Sequence, residues 1–129
     1  MTREERKVRG FGRLINSFRY AYHGLIYAYK NEQNMMVHCL TTLGVVVLGL
    51  FFHISFFEWA LCFLLIGLVI TLELVNTAIE AVVDLVTQEY HPLARVAKDT
   101  ASAAVAVMAF FSGVVGFIIF VPKILAFFL

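Results

Sequence analysis

The chain has 129 residues, of which 61% are apolar or aromatic and only 15% charged, with thirteen phenylalanines. A single soluble domain of this length cannot hide so much apolar surface. Composition therefore excludes an ordinary soluble enzyme, a disordered tail and a nucleic-acid binder, and makes lipid the main solvent.

The net charge of +1 is less informative than where the charges fall. Arg3, Arg6, Lys7, Arg9, Arg13, Arg19 and Lys30 place seven of the ten basic residues before position 31, and Arg95 and Lys98 lie between two later apolar runs. Cys39 and Cys62 both fall inside apolar runs, where cysteine is usually packing material, so neither a disulfide nor a metal is inferred from them. No secretory signal is expected, since the first long apolar run begins near Met35 behind an amphipathic stretch.

Taken in chain order, residues 1–10 read as a charged, frayed lead-in. Phe11, Leu14, Ile15, Phe18, Tyr22, Leu25, Ile26 and Tyr29 then recur at helical spacing, with Arg13, Asn16, Tyr20 and His23 on the other face. That predicts an interfacial amphipathic helix over 11–30. Three apolar runs follow, each near the ~20 residues that cross a bilayer as helix. They predict helices over 35–52, 56–84 and 93–121, with the last apolar run covering about 101–121 and stopping at Pro122. His53-Ile54-Ser55 leaves room only for a tight turn between the first two.

The fold class is thus an all-α membrane protein of one domain. Nine of the ten basic residues lie in the N-terminal segment and the 85–100 connection, which three spans put on one side. The positive-inside rule makes that side cytoplasmic. Ala97, Ala101, Ala104, Ser112, Gly113 and Gly116 read as close-contact positions between helices. A three-span bundle offers little interior for carboxylates, which favours an oligomer.

The polar minority carries the chemistry. In Glu73-Leu-Val-Asn76-Thr77-Ala-Ile-Glu80-Ala-Val-Val-Asp84, the side chains of Asn76, Glu80 and Asp84 fall within about 60° of Glu73 on a helix. Glu73 would sit roughly 25 Å along from Phe56, near the edge of the hydrocarbon, with Glu80 and Asp84 toward water. A carboxylate in hydrocarbon costs about 2.5–3.5 kcal/mol even on lenient scales, so Glu73 is not decoration. Its plainer reading is a buried, hydrogen-bonded carboxyl; for Glu80 and Asp84 it is a solvated helix end. Glu32, Glu89-Tyr90-His91 and Lys98-Asp99 fall at the same membrane level. Carboxylates with a lysine suit a divalent cation holding phosphate oxygens, although Lys98 alone reads as ordinary anchoring. No G-x-x-x-x-G-K-[ST] or G-x-G-x-x-G is present, so a phosphate site must be assembled from carboxylates, metal and basic groups.

The pattern Glu73-x-x-Asn76-Thr77-Ala78-Ile79-Glu80-x-x-Val83-Asp84, followed by Glu89-Tyr90-His91 and Ala97-Lys98-Asp99, resembles the signature of the bacterial integral-membrane diacylglycerol kinases. The resemblance runs from Arg13 through the third span. Phe52-His53-Ile54-Ser55, Glu58-Trp59 and Val121-Pro122-Lys123-Ile124 look more like the Gram-positive branch, whose members are often undecaprenol kinases. His38 and Trp59 replace polar residues of the diacylglycerol branch. The resemblance implies a homotrimer in the bacterial plasma membrane, with composite sites facing the cytoplasm. It implies transfer of the ATP γ-phosphoryl group, with Mg²⁺, to the primary hydroxyl of undecaprenol or of diacylglycerol. By the same resemblance Glu73 is the catalytic base and Glu32 and Glu80 bind the metal. Arg13, Tyr20, Glu32, Glu80, Glu89, Tyr90, His91, Lys98 and Asp99 match ATP-binding positions. Arg13, Glu73, Asn76 and Ser102 match lipid-side positions, and Asp84 a supporting one.

The depth of these residues agrees with that chemistry: a lipid hydroxyl meets a water-borne nucleotide at one rim, where partial desolvation makes Glu73 a better base. A small oligomeric transporter would want its carboxylate near the midplane with water from both sides. A non-catalytic subunit using the stripe to bind partner helices is the third reading.

Overall fold

The computed structural model describes Thr2, Glu4 and residues 10–129; the basic residues Arg3, Arg6, Lys7 and Arg9 lie outside the described residues. Four helices follow in order: α1 (Phe11–Asn31), α2 (Gln33–Phe51), α3 (Phe56–Val86) and α4 (Pro92–Phe128). The last three are long and apolar enough to cross a membrane. The architecture is all-helical, as the sequence led us to expect.

A single residue separates the first two helices. α1 begins after Gly10, whose φ of 84° is open to glycine at little cost, and ends at Glu32. Glu32 turns extended (φ −110°, ψ 115°), its N–H still donating to the Ala28 carbonyl at 2.8 Å, and it is at once the N-cap of α2. The chain thus changes direction on one acidic residue.

The turn between α2 and α3 is the tight one expected. His53 takes a left-handed φ of 51°, and Ser55 opens α3 with a capping box. The Glu58 N–H donates to Ser55 Oγ (3.2 Å), and the Ser55 N–H donates to Glu58 Oε2 (2.8 Å). Glu58 also accepts from Lys123 Nζ at 2.9 Å, tying the start of α3 to the end of α4. Around this turn lies the apolar core of the chain: Ile54, Cys62, Ile119 and Phe120, packed by Val45, Phe52, Trp59, Val115 and Ile124.

Two packing expectations change. Gly113 and Gly116 have open space where a side chain would project, so neither is a close contact within the chain. The close contact is at Gly49, where an added Cβ would lie 2.6 Å from the Trp59 ring. Composition gave no hint of it, because the ring comes from the following helix.

The expected stop at Pro122 does not occur either: α4 runs through it to Phe128. Proline removes one N–H and crowds the carbonyl four residues back. Ile119, Phe120 and Ile124 packed into the core, and Lys123 paired with Glu58, hold both sides of that defect in register. At 1.5 Å per residue, α3 is roughly 46 Å long and α4 roughly 55 Å, against a hydrocarbon core of ~30 Å. Both helices are therefore longer than the apolar layer is thick, and Glu80, Asp84, Arg95 and Lys98 lie on either side of the connection between them.

Candidate active site

The polar stripe of α3 separates into three levels. Deepest is Glu73, with no solvent-exposed surface at all, flanked by buried Asn76 and Thr77. A three-span bundle was expected to offer little interior for a carboxylate, yet Glu73 is wholly buried within the single chain, where α1, α2 and α4 all pack on α3. Thr77 Oγ1 is committed to the Glu73 backbone carbonyl at 2.9 Å and is not free for the carboxylate. Both Glu73 oxygens and Asn76 Oδ1 are buried with no hydrogen-bond partner among the described residues. A buried polar atom without a partner costs stability, so a carboxyl kept in that condition is not structural filler.

The middle level joins two elements. Glu32, half-buried at the α1–α2 corner, reaches Glu80 at hydrogen-bonding range, and Glu73 lies close enough to add its charge. The Glu32 carboxyl is held above the usual carboxylate range, first by burial, then by the charges of Glu80 and Glu73. Two carboxylates pressed together want a cation between them. No group of three or more His, Cys, Asp and Glu side chains suited to a metal occurs among the described residues. The pair fits a Mg²⁺ that takes one or two carboxylates and completes its shell with phosphate and water.

The outer level lies in the α3–α4 connection. The Thr87 N–H donates to the Val83 carbonyl (2.9 Å) at the end of α3, and Thr87 Oγ1 accepts from the Glu89 N–H (3.2 Å) within the turn. His91 Nδ1 accepts from the Leu93 N–H (3.2 Å) to cap α4 ahead of Pro92. This places Asp84, Glu89, Tyr90, His91, Lys98 and Asp99 around one concavity of about 280 Å³. Lys98 Nζ pairs with Asp84 and is within electrostatic range of Glu80. Asp99 forms an ion pair with Arg95 one turn away, at 3.4 Å.

Three more sequence-derived residues lie on α1 and α4. Arg13 is exposed near the start of α1, its carbonyl accepting from Ser17 Oγ. Nineteen residues of chain separate it from Glu32, about 28 Å along a helix. Ser102 is exposed on α4. Tyr20 is half-buried, and its hydroxyl is buried without a partner among the described residues. One residue outside the sequence-derived set joins the site: His38 of α2, whose Nε2 lies 3.7 Å from Glu73 Oε2. A histidine one turn inside an apolar run was the signal available.

An all-helical chain with three membrane-length helices and acidic groups graded in depth along one of them is built to work on lipids at a water boundary. Residues 19–120 match the family described as prokaryotic diacylglycerol kinase, and the chain belongs to that family. It is a lipid kinase, a transferase. It is 43% identical to the undecaprenol kinase of Bacillus subtilis over 87% of this chain and 91% of that one. It is 40% identical to a diacylglycerol kinase of Synechocystis over 88% of this chain and 65% of that one. To the diacylglycerol kinase of Escherichia coli strain K12 it is 38% identical, over 74% and 79% of the two chains.

Proposed function

We propose that the chain transfers the γ-phosphoryl group of ATP to the primary hydroxyl of undecaprenol, giving undecaprenyl phosphate and ADP. The observation that carries this reading is Glu73: a wholly buried carboxyl with neither oxygen engaged, beside a close carboxylate pair. Glu73 takes the hydroxyl proton as the lipid oxygen attacks the γ-phosphorus in line, and the bond to the ADP oxygen breaks. Glu32 and Glu80 would hold Mg²⁺, which when bound offsets charge on the phosphate oxygens. Asn76 orients the lipid hydroxyl, and Lys98, Asp99, Glu89, Tyr90 and His91 receive the nucleotide, with Asp84 steadying Lys98.

Undecaprenol is favoured by the identity to the Bacillus undecaprenol kinase over most of both chains. Diacylglycerol, giving phosphatidic acid, is the second reading, favoured by the relatives named for that substrate. The active assembly is a homotrimer in the bacterial plasma membrane with its site on the cytoplasmic side. Support for composite sites comes from Arg13, exposed near the far end of α1 from Glu32, and from spans whose apolar surface faces mostly outward. The basic N-terminal segment and α3–α4 connection support the orientation.

Purified protein given ATP, Mg²⁺ and either alcohol in matched micelles tests the reading. Undecaprenol is expected to be turned over faster. A preference for diacylglycerol sinks the substrate assignment, and turnover of neither alcohol sinks the enzyme assignment.

A further inference from the structure

His38 and Glu73 form a pair that the family signature does not contain. His38 belongs to α2 and Glu73 to α3, yet Nε2 and Oε2 approach to 3.7 Å with side-chain exposures of 16% and 1%. That separation is about half an ångström beyond hydrogen-bond range. Such contacts at reacting groups commonly tighten once substrate is bound. Neither Nε2 nor either Glu73 oxygen has another hydrogen-bond partner among the described residues.

The surroundings leave the ring little choice. His38 lines an apolar cavity of about 350 Å³ between α2, α3 and α4, where most of its neighbours, such as Val69 and Ile70, offer nothing to bond. The hydroxyls of Thr41, Thr42 and Ser112 also line it. The threonines donate to the backbone carbonyls of Val37 (2.9 Å) and of His38 itself (2.8 Å), and Ser112 Oγ is buried with no partner among the described residues, so the one charged acceptor near the ring is Glu73. The Glu73 turn is braced the same way, by Thr77 on its carbonyl. Between these two helix segments, His38 Nε2 and Glu73 Oε2 are the polar side-chain atoms that approach each other.

We propose that His38 is a positioning residue for Glu73. Its Nε2–H donates to Oε2, which leaves Oε1 as the oxygen that accepts the proton of the lipid hydroxyl. A free carboxylate turns broadly about its last torsion and offers either oxygen. Holding one oxygen sets the direction of the other, and a base must be placed to within a few tenths of an ångström of its proton. The proposal rests on the kinase reading and adds to it a reason for a histidine at this depth.

The test compares His38→Leu, which cannot donate, with His38→Gln, whose amide can. Turnover number should fall at least about tenfold in His38→Leu with KM for ATP within about twofold, and His38→Gln should recover most of the loss. Equal losses in both variants, a loss confined to KM, or no loss overturns the proposal. A second readout does not need activity. The infrared difference between wild type and Glu73→Gln isolates the Glu73 carboxyl band, and repeating it in each His38 background reports the contact. The band should shift in His38→Leu and stay near its wild-type position in His38→Gln; a band that ignores both changes overturns the proposal. If wild type phosphorylates no alcohol, the kinase reading fails while the band still reports whether His38 holds Glu73.

Discussion

Glu32 and Glu80 meet carboxyl to carboxyl, one from the corner between the surface helix and the first span, the other from the far part of α3. Burial comes first, then the charges of Glu80 and Glu73, in holding the Glu32 proton more tightly than in an unfolded chain. For an acid the sign is definite. The folded state is penalised as pH rises past the ordinary value of 4.5 and through the raised one, and the penalty is full above it. Glu32→Gln should therefore unfold at a higher temperature than wild type at neutral pH without Mg²⁺, and the difference should vanish near pH 4. Activity should be lost. Thermal unfolding in detergent across pH measures it.

The same pair predicts a response to Mg²⁺. A cation held between the two carboxylates stabilises only the folded state, by ~2.7 kcal/mol at a hundredfold excess over Kd. Wild type should gain thermal stability with Mg²⁺, whereas Glu32→Gln and Glu80→Gln should gain little. An equal gain in all three would remove these residues from the metal site.

Lys98 faces the outer concavity while paired with Asp84. Replacing it with alanine should raise KM for ATP about tenfold, the loss of one charge-assisted phosphate contact. Asp84→Asn leaves the lysine free and should change KM less. Steady-state kinetics at saturating lipid distinguishes them.

At the opposite end, Gly49 lets the Trp59 ring lie against α2, and a Cβ there would sit 2.6 Å from it. The Gly49→Ala substitution should cost about 1–3 kcal/mol of stability. As Trp59 is the sole tryptophan, its fluorescence should shift in the same variant. Adding Trp59→Leu should return most of the lost stability; no return would mean the clash lies elsewhere.

Much of this arrangement was legible in the residues because it repeats along one helix. Helical spacing alone set Glu73, Asn76, Glu80 and Asp84 on one face of α3, and apolar run lengths gave three spans. What escaped was whatever depends on two helices at once. His38 beside Glu73, Trp59 over Gly49 and the full burial of Glu73 need the relative placement of α2, α3 and α4, which no periodicity encodes. Pro122 misled for the same reason: its local rule is a break, and tertiary packing overrode it. Glu32 lay between, visible as an acid at a helix end but not as Glu80's neighbour.

One uninterrupted helix carries both the buried carboxyl and the one near water. Seven residues from Glu73 to Glu80 amount to two turns, about 10.5 Å of rise with almost no change of face. In the proposed reaction α3 would act as a gauge block, fixing the span over which a lipid oxygen and a nucleotide phosphate must meet. Its calibration is in whole turns: a single inserted residue between the two would swing Glu80 by about 100° and leave each carboxyl intact but aimed at different neighbours.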